Sequence, residues 1–206
     1  SSKLEINEKK LLQEWEINKE KKIILVPGRL TSWKGQELII EAINLVKIEL
    51  GYEAFHAVIL GSDQGRDLYK KKLIRLTEQY RLSNQIKFVD HCKDMALAYK
   101  VSDIVISPSI EPEAFGRVAV EAQSMGKFVI ASNHGGSVET VIDNETGYLY
   151  SPHSHEELAD RIIKSIEQNK YNSSDVSEAG IKNVKENYTV DGMCKETLEF
   201  YKKIIV

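Results

Sequence analysis

The sequence is poor in the features that would place it in several large protein classes. It has two cysteines in 206 residues, Cys92 and Cys194, far apart and in no C-x-x-C pair, so neither a disulfide framework nor a zinc knuckle is indicated. A reducing, cytosolic setting suits that usage. No apolar run approaches the ~20 residues of a membrane span, and the opening SSKLEINEKKLLQEWEINKEKK contains no apolar signal-peptide segment. The chain is therefore expected to be soluble. An excess of charge is also missing: 28 basic residues against 31 acidic ones leave a net charge of -3, too little to gather nucleic acid or an anionic membrane surface. Any anion has to be bound locally. Neither G-x-G-x-x-G nor a Walker lysine motif occurs, which counts against a dinucleotide cofactor or an NTPase.

What the chain does have is 42% hydrophobic residues, enough for one well-packed domain and too short a length for two of ordinary size. Residues 1–22 carry Leu4, Leu11, Leu12 and Trp15 among many charges, a pattern read as a lead-in helix at an interdomain junction, outside the core. From residue 23 to 206 the pattern is that of a single domain. Short apolar runs, IILV at 23–26, AVIL at 57–60, IKFV at 86–89, DIVIS at 103–107, KFVIA at 127–131 and GYLY at 147–150, alternate with longer amphipathic segments. That alternation predicts a doubly wound, Rossmann-like α/β fold with a parallel six-stranded sheet. Leu38, Ile39, Ala42, Ile43, Val46 and Leu50 mark one crossover helix, and Leu68, Leu73, Leu76 and Tyr80 mark another less strictly. Past residue 150 three helices are expected, at 155–168, 176–187 and within a final segment at about 188–206. Ser154 and Glu157 form a capping box before the first of them.

In such a sheet ligands sit beyond the carboxyl ends of the strands. After the first run comes PGRLTSWKG, where Gly28 permits a close turn and Arg29 and Lys34 place two cations by a helix start, a combination suited to a diphosphate. Read alone, the same residues are equally a turn with two solvated charges. After the fourth run comes PSIEPEAFGRVAVEAQSMGK, with Glu113 and Glu121 separated by seven residues. With a helix starting near Phe115 or Gly116, Glu113 stays on the loop and Glu121 lies about one and a half turns in. Val118, Ala119, Val120 and Ala122 give Glu121 an apolar sequence context, so it requires a hydrogen-bond donor, which a ribose diol supplies. Backbone N–H groups from Phe115, Gly116, Arg117 and Val118 would face phosphate oxygens.

Taken together, GRL-x3-KG, the later PS, E-x7-E within EAFGRVAVE, MGKFVIAS, GGSVET and ETGYLY resemble the C-terminal domain of family 4 glycosyltransferases over residues 23–150. The resemblance implies a GT-B architecture of two Rossmann-like domains facing across a cleft, with the acceptor held mainly by an N-terminal domain that is missing here. It further implies that Arg29 and Lys34 bind the donor diphosphate and neutralise the leaving group in place of a metal. Glu121 would then hold the ribose hydroxyls and Glu113 the donor sugar, making Glu113, Arg29 and Lys34 the catalytic set. Gly28, Val89, His91, Phe115, Gly116, Arg117 and Val118 complete the expected donor site. Many family members have Gly where Asp90 stands, so the base is not named. The family transfers with retention of anomeric configuration and needs no metal cofactor. Its products point to cell-surface glycans, with any peripheral membrane contact made through the missing domain.

His153 and His155 lack a third ligand at metal-site spacing, and His91 and His134 read as loop residues. The loop at 133–136 reads mainly as a turn. Tyr188 and Tyr201 read as aromatics that tie the tail back to the domain. Trp15 and Trp33 read as packing or surface anchors, with Trp33 shaping the loop between Arg29 and Lys34. Two other readings compete with a hexosyl-type transferase that is inactive as an isolated domain. One is a non-catalytic nucleotide-binding module, and the other is a nucleotide-sugar epimerase of the same architecture.

Overall fold

In the first strand, β1 (Lys22–Pro27), every residue after Lys22 is buried, as expected of a strand covered on both faces. The computed structural model describes residues 3–51, 54–168 and 173–205. Among them, the other strands are β2 (Phe55–Leu60), β3 (Ile86–Val89), β4 (Ile104–Ser107), β5 (Phe128–Ser132) and β6 (Gly147–Tyr150). The helices are α1 (Lys3–Glu14), α2 (Gln36–Leu50), α3 (Asp67–Gln79), α4 (Met95–Val101), α5 (Arg117–Ser124), α6 (Ser137–Thr140), α7 (His155–Gln168), α8 (Ser173–Asn187) and α9 (Val190–Ile204). All pairings are parallel, in the order β3-β2-β1-β4-β5-β6. The predicted six-stranded, doubly wound sheet is thus present.

Successive strand residues point to opposite faces, and the core divides accordingly. Ile24, Val26, Ile59, Ile104, Ile106 and Ile130 pack with residues of α2, α3 and α7 on one side. Ile23, Leu25, Val58, Leu60, Val105 and Val129 pack with α1, α4 and α5 on the other. That second cluster corrects the reading of residues 1–22 as a segment outside the core. Leu11, Leu12, Trp15 and Ile17 are buried in it beside Ile23 and Leu25, because the apolar residues at the end of α1 and just beyond it face the sheet. Glu8 adds ion pairs to Lys100 at 3.1 Å and Lys19 at 3.4 Å.

The short helices α4 and α6 fall where no helix is expected from periodicity, each being too brief to display one. The capping box at α7 is half reciprocal. Ser154 Oγ accepts the Glu157 N–H at 3.1 Å, while the Glu157 carboxylate accepts from Ser151 N at 2.8 Å, not from Ser154 N. Ser154→Ala is expected to cost about 1 kcal/mol of stability, measurable by denaturant unfolding. At the tail, Tyr188 does fold back, stacking edge-on with Phe115 at 5.7 Å and donating to Glu139 O. Tyr201 does not: it is 55% exposed on a helix with no buried residue.

Candidate functional site

β1 and β4 are neighbours, yet the chain leaves β1 toward β2 on one side and β4 toward β5 on the other. The loops beyond their carboxyl ends diverge there and open a crevice. On the β1 side the loop is laid against the end of β2. Gly28 N donates to Leu60 O at 2.9 Å, and Leu30 N to Ser62 O at 3.0 Å. A Cβ on Gly61 would sit 1.9 Å from Gly28 O, so glycine is required for this approach. The end of β2, with Gly61, Ser62 and Gln64 at the crevice, is absent from the sequence-based site, although GSDQG directly follows an apolar run.

Trp33 and Lys34 lie in a single 3-10 turn, Ser32–Lys34, before α2. The Trp33 ring is close to both cations, 4.5 Å from Lys34 Nζ and 5.8 Å from Arg29 Cζ, within the range of cation–π attraction. Underneath, Gln36 Nε2 donates to Arg29 O at 2.9 Å, and Tyr69 OH to Gln36 Oε1 at 3.3 Å. Ile110 N donates to Trp33 O at 2.8 Å, tying the β1 loop to the β4 loop. Across this tie, Lys34 Nζ reaches Glu113 Oε1 at 2.7 Å, and the same oxygen accepts from Ser109 Oγ. Both charged side chains are mostly covered, at 13% and 18% exposure.

The loop carrying Glu113 is shaped by its neighbour after β5. Gly136 N donates to Glu113 O at 2.7 Å, and His134 Nε2 lies 2.8 Å from Ser109 O. A Cβ on Gly135 would meet Glu113 O at 2.6 Å, and one on Gly136 would meet Phe115 at 2.6 Å. The loop at 133–136 therefore acts as a support for residues 112–115. α5 then begins after Gly116, which takes a left-handed φ of 76° and supplies no side-chain cap. Ala119 N already donates to Gly116 O at 3.0 Å, which leaves the N–H groups of Arg117 and Val118 for another acceptor.

Glu121 differs from its expectation. Its side chain is 38% exposed, because residues adjacent in a helical sequence point about 100° apart, so Ala119, Val120, Ala122 and Gln123 face the core while Glu121 does not. Its Oε1 accepts from Arg117 Nη2 at 2.8 Å and Nε at 3.2 Å. Its Oε2 accepts from the buried Tyr99 OH at 2.9 Å. Arg117, 83% exposed, is thus turned to Glu121, an i,i+4 pair worth about 0.3–0.5 kcal/mol. Burial, then the nearby Glu121 charge, push the Tyr99 phenol far above its ordinary range.

These groups line one cleft of about 730 Å³, a size suited to a small-molecule ligand. Gly28, Arg29, Lys34, His91, Glu113, Phe115, Gly116, Arg117, Val118 and Glu121 all border it. Val89 does not; its carbonyl accepts from Gly61 N at 2.8 Å, one residue back from the rim. At the rim itself Asp90 pairs with Lys70, and Cys92, Met95 and Tyr99 form the adjoining wall. Tyr99 escapes a sequence reading because AYK within an amphipathic stretch reads as ordinary packing. Among the described residues no group of three His, Cys, Asp or Glu is placed to hold a metal ion, and no helix is long and apolar enough to cross a membrane.

Comparison with known proteins gives the arrangement a context. The family model described as "Glycosyl transferases group 1" matches residues 7–183. An uncharacterized glycosyltransferase of Methanocaldococcus jannaschii is 36% identical over 203 residues, covering 97% of this chain and 48% of that protein. Among solved structures, a glycosyltransferase from Rickettsia africae superposes with a TM-score of 0.90 at 34% identity, covering 97% of this chain and 52% of that one. Anabaena HepE in complex with UDP-glucose superposes at 0.85 with 26% identity, covering 98% and 54%. The chain spans about half the length of each of these proteins.

Proposed function

The chain belongs to the glycosyl transferases group 1 family, and from that premise we propose that it is the donor-binding half of a glycosyltransferase that takes a nucleoside diphosphate sugar. The observation that carries the proposal is the convergence of Arg29, Lys34, Glu113 and the uncapped start of α5 in one cleft at the β1/β4 divergence. Two cations and the first N–H groups of α5, those of Arg117 and Val118, match a diphosphate. In this reading Glu121, on the next turn of α5, takes the ribose and Glu113 a sugar hydroxyl. That similar structures hold UDP and UDP-glucose supports the ligand class.

In this reading catalysis is chiefly stabilisation of the departing diphosphate. Charge grows on the bridging oxygen as the glycosidic bond breaks, and preorganised donors from Arg29, Lys34 and α5 meet it without a metal. Glu113 orients the sugar, and transfer proceeds with retention. Its place against Lys34 also favours a transferase over a nucleotide sensor, which has no use for a carboxylate at the sugar end. The acceptor is held by a separate N-terminal domain. α9 supports that part of the reading: at about 100° per residue, its Val190, Met193, Leu198, Tyr201 and Ile204 share one side, and each is more than half exposed.

The test is calorimetric titration of UDP, GDP and ADP into this chain in excess EDTA. One of them is expected to bind with at least micromolar affinity, and adding magnesium should change it less than threefold, roughly the scatter of a single weak contact. Absence of binding by all three would refute the assignment. The chain alone is expected to show little transfer to any acceptor, since the acceptor side of the cleft lies elsewhere; efficient turnover by it would overturn the two-domain reading.

A further inference from the structure

Tyr99 stands on α4, whose ends are both fastened. Asp94 caps the start by accepting Leu97 N at 2.9 Å, and Tyr99 O accepts from Ser102 N at 3.1 Å and Ser102 Oγ at 2.7 Å. Lys100, the next residue, is pinned to Glu8 of α1. The Tyr99 ring is 3% exposed, so its hydroxyl has a fixed position, 2.9 Å from Glu121 Oε2. With the phenol held far above its ordinary range by burial and by the Glu121 charge, that hydroxyl is a permanent donor.

A carboxylate has about four lone-pair sites. On Glu121, Arg117 takes up Oε1 through two N–H groups, and Tyr99 uses one site on Oε2. A diol arriving at Glu121 needs acceptor sites to be vacated, and the two partners differ in how easily they leave. Arg117 is 83% exposed and can turn into solvent, where its guanidinium is fully hydrated. Tyr99 has no such alternative, because leaving Glu121 would strand a buried hydroxyl.

We infer that Tyr99 is the positioning residue that orients the Glu121 carboxylate for a ribose diol, and that Arg117 is a placeholder which gives up Oε1 when the nucleotide enters. This rests on the reading of Glu121 as the ribose-binding group. Helices α1 and α4 then form the backing against which Tyr99 holds one carboxylate oxygen in place.

The experiment measures the affinity of UDP and of 2′-deoxy-UDP for the unaltered chain, Tyr99→Phe, Arg117→Ala and Glu121→Gln. The unaltered chain is expected to prefer UDP by roughly tenfold, the scale of one hydrogen bond to a charged group. Tyr99→Phe keeps the ring and the fold. It should lose most of that preference by weakening UDP more than 2′-deoxy-UDP, which keeps only one hydroxyl for Glu121, whereas a merely structural role would weaken both ligands alike. Arg117→Ala should keep the preference. Should Glu121→Gln abolish the preference and Tyr99→Phe retain it, the Tyr99 inference is overturned and the role of Glu121 stands. Should Glu121→Gln retain it, or the unaltered chain show none, the assignment of Glu121 itself falls, and the inference with it.

Discussion

Lys34→Ala is expected to weaken nucleoside diphosphate binding by roughly ten- to hundredfold, and Arg29→Ala by a similar factor, while Glu113→Gln strengthens it or leaves it unchanged. The magnitudes follow from charge-assisted hydrogen bonds worth about 1.5–3 kcal/mol each, with about 1.4 kcal/mol per factor of ten. The opposite sign for Glu113 follows from the geometry. Lys34 Nζ lies 2.7 Å from Glu113 Oε1, so part of its charge is already engaged, and a diphosphate would have to compete with that carboxylate. Neutralising Glu113 removes the competitor and leaves the cation. On the proposed reading, the same change replaces the sugar's charged acceptor with a neutral amide, so a nucleotide sugar should lose affinity relative to its diphosphate. Titrating UDP and UDP-glucose into the three variants separates the effects. Equal loss of both ligands in Glu113→Gln would show that the ion pair maintains the site's shape and has no part in sugar recognition.

The sheet is legible in the sequence because each strand holds a short apolar run, interrupted in β3 only by Lys87, and each main crossover helix has a periodic face. Residues that act through distant neighbours are not legible. Arg29, Lys34, Glu113 and Glu121 stand out in motifs, but nothing local reveals that Lys34 meets Glu113 across 79 positions or that Tyr99 backs Glu121. Glu121 shows how the two scales diverge. Its sequence neighbours are apolar, yet a helix sends them toward the core and leaves the carboxylate on the cleft side, already partnered by Arg117. The lead-in helix misleads for the converse reason. Its charges dominate its composition, while Leu11, Leu12 and Trp15 are gathered at one end, where they meet the sheet. Tyr201 reads as packing because aromatics usually pack, yet on α9 it is left 55% exposed.

Gly35 is the position where a single methyl group should do most damage to this cleft. It ends the 3-10 turn and precedes α2 with φ 71° and ψ 22°, a left-handed conformation that alanine adopts at a cost of about 1 kcal/mol. The larger difficulty is space: a Cβ there would lie 1.9 Å from Pro108 O and 2.9 Å from Pro108 C. Pro108 directly follows β4, so the backbone that must yield is the start of the loop carrying Ser109 and Glu113. Gly35→Ala is therefore expected to push the β1 and β4 loops apart at the point where Lys34 meets Glu113. A combined cost of about 3 kcal/mol would lower Tm by roughly 6–12 °C for a chain of this size. Gly65→Ala supplies the control, since Gly65 also has a positive φ, 81°, but nothing lies within 4 Å of its Cβ position. It should cost only the conformational part, about 1 kcal/mol. Thermal melts of both variants isolate the steric contribution, and calorimetry with UDP should show affinity falling for Gly35→Ala far more than for Gly65→Ala. Equal melting temperatures for the two would mean that the β4 loop moves aside freely, and that the close approach of Gly35 to Pro108 is not what holds the two halves of the cleft together.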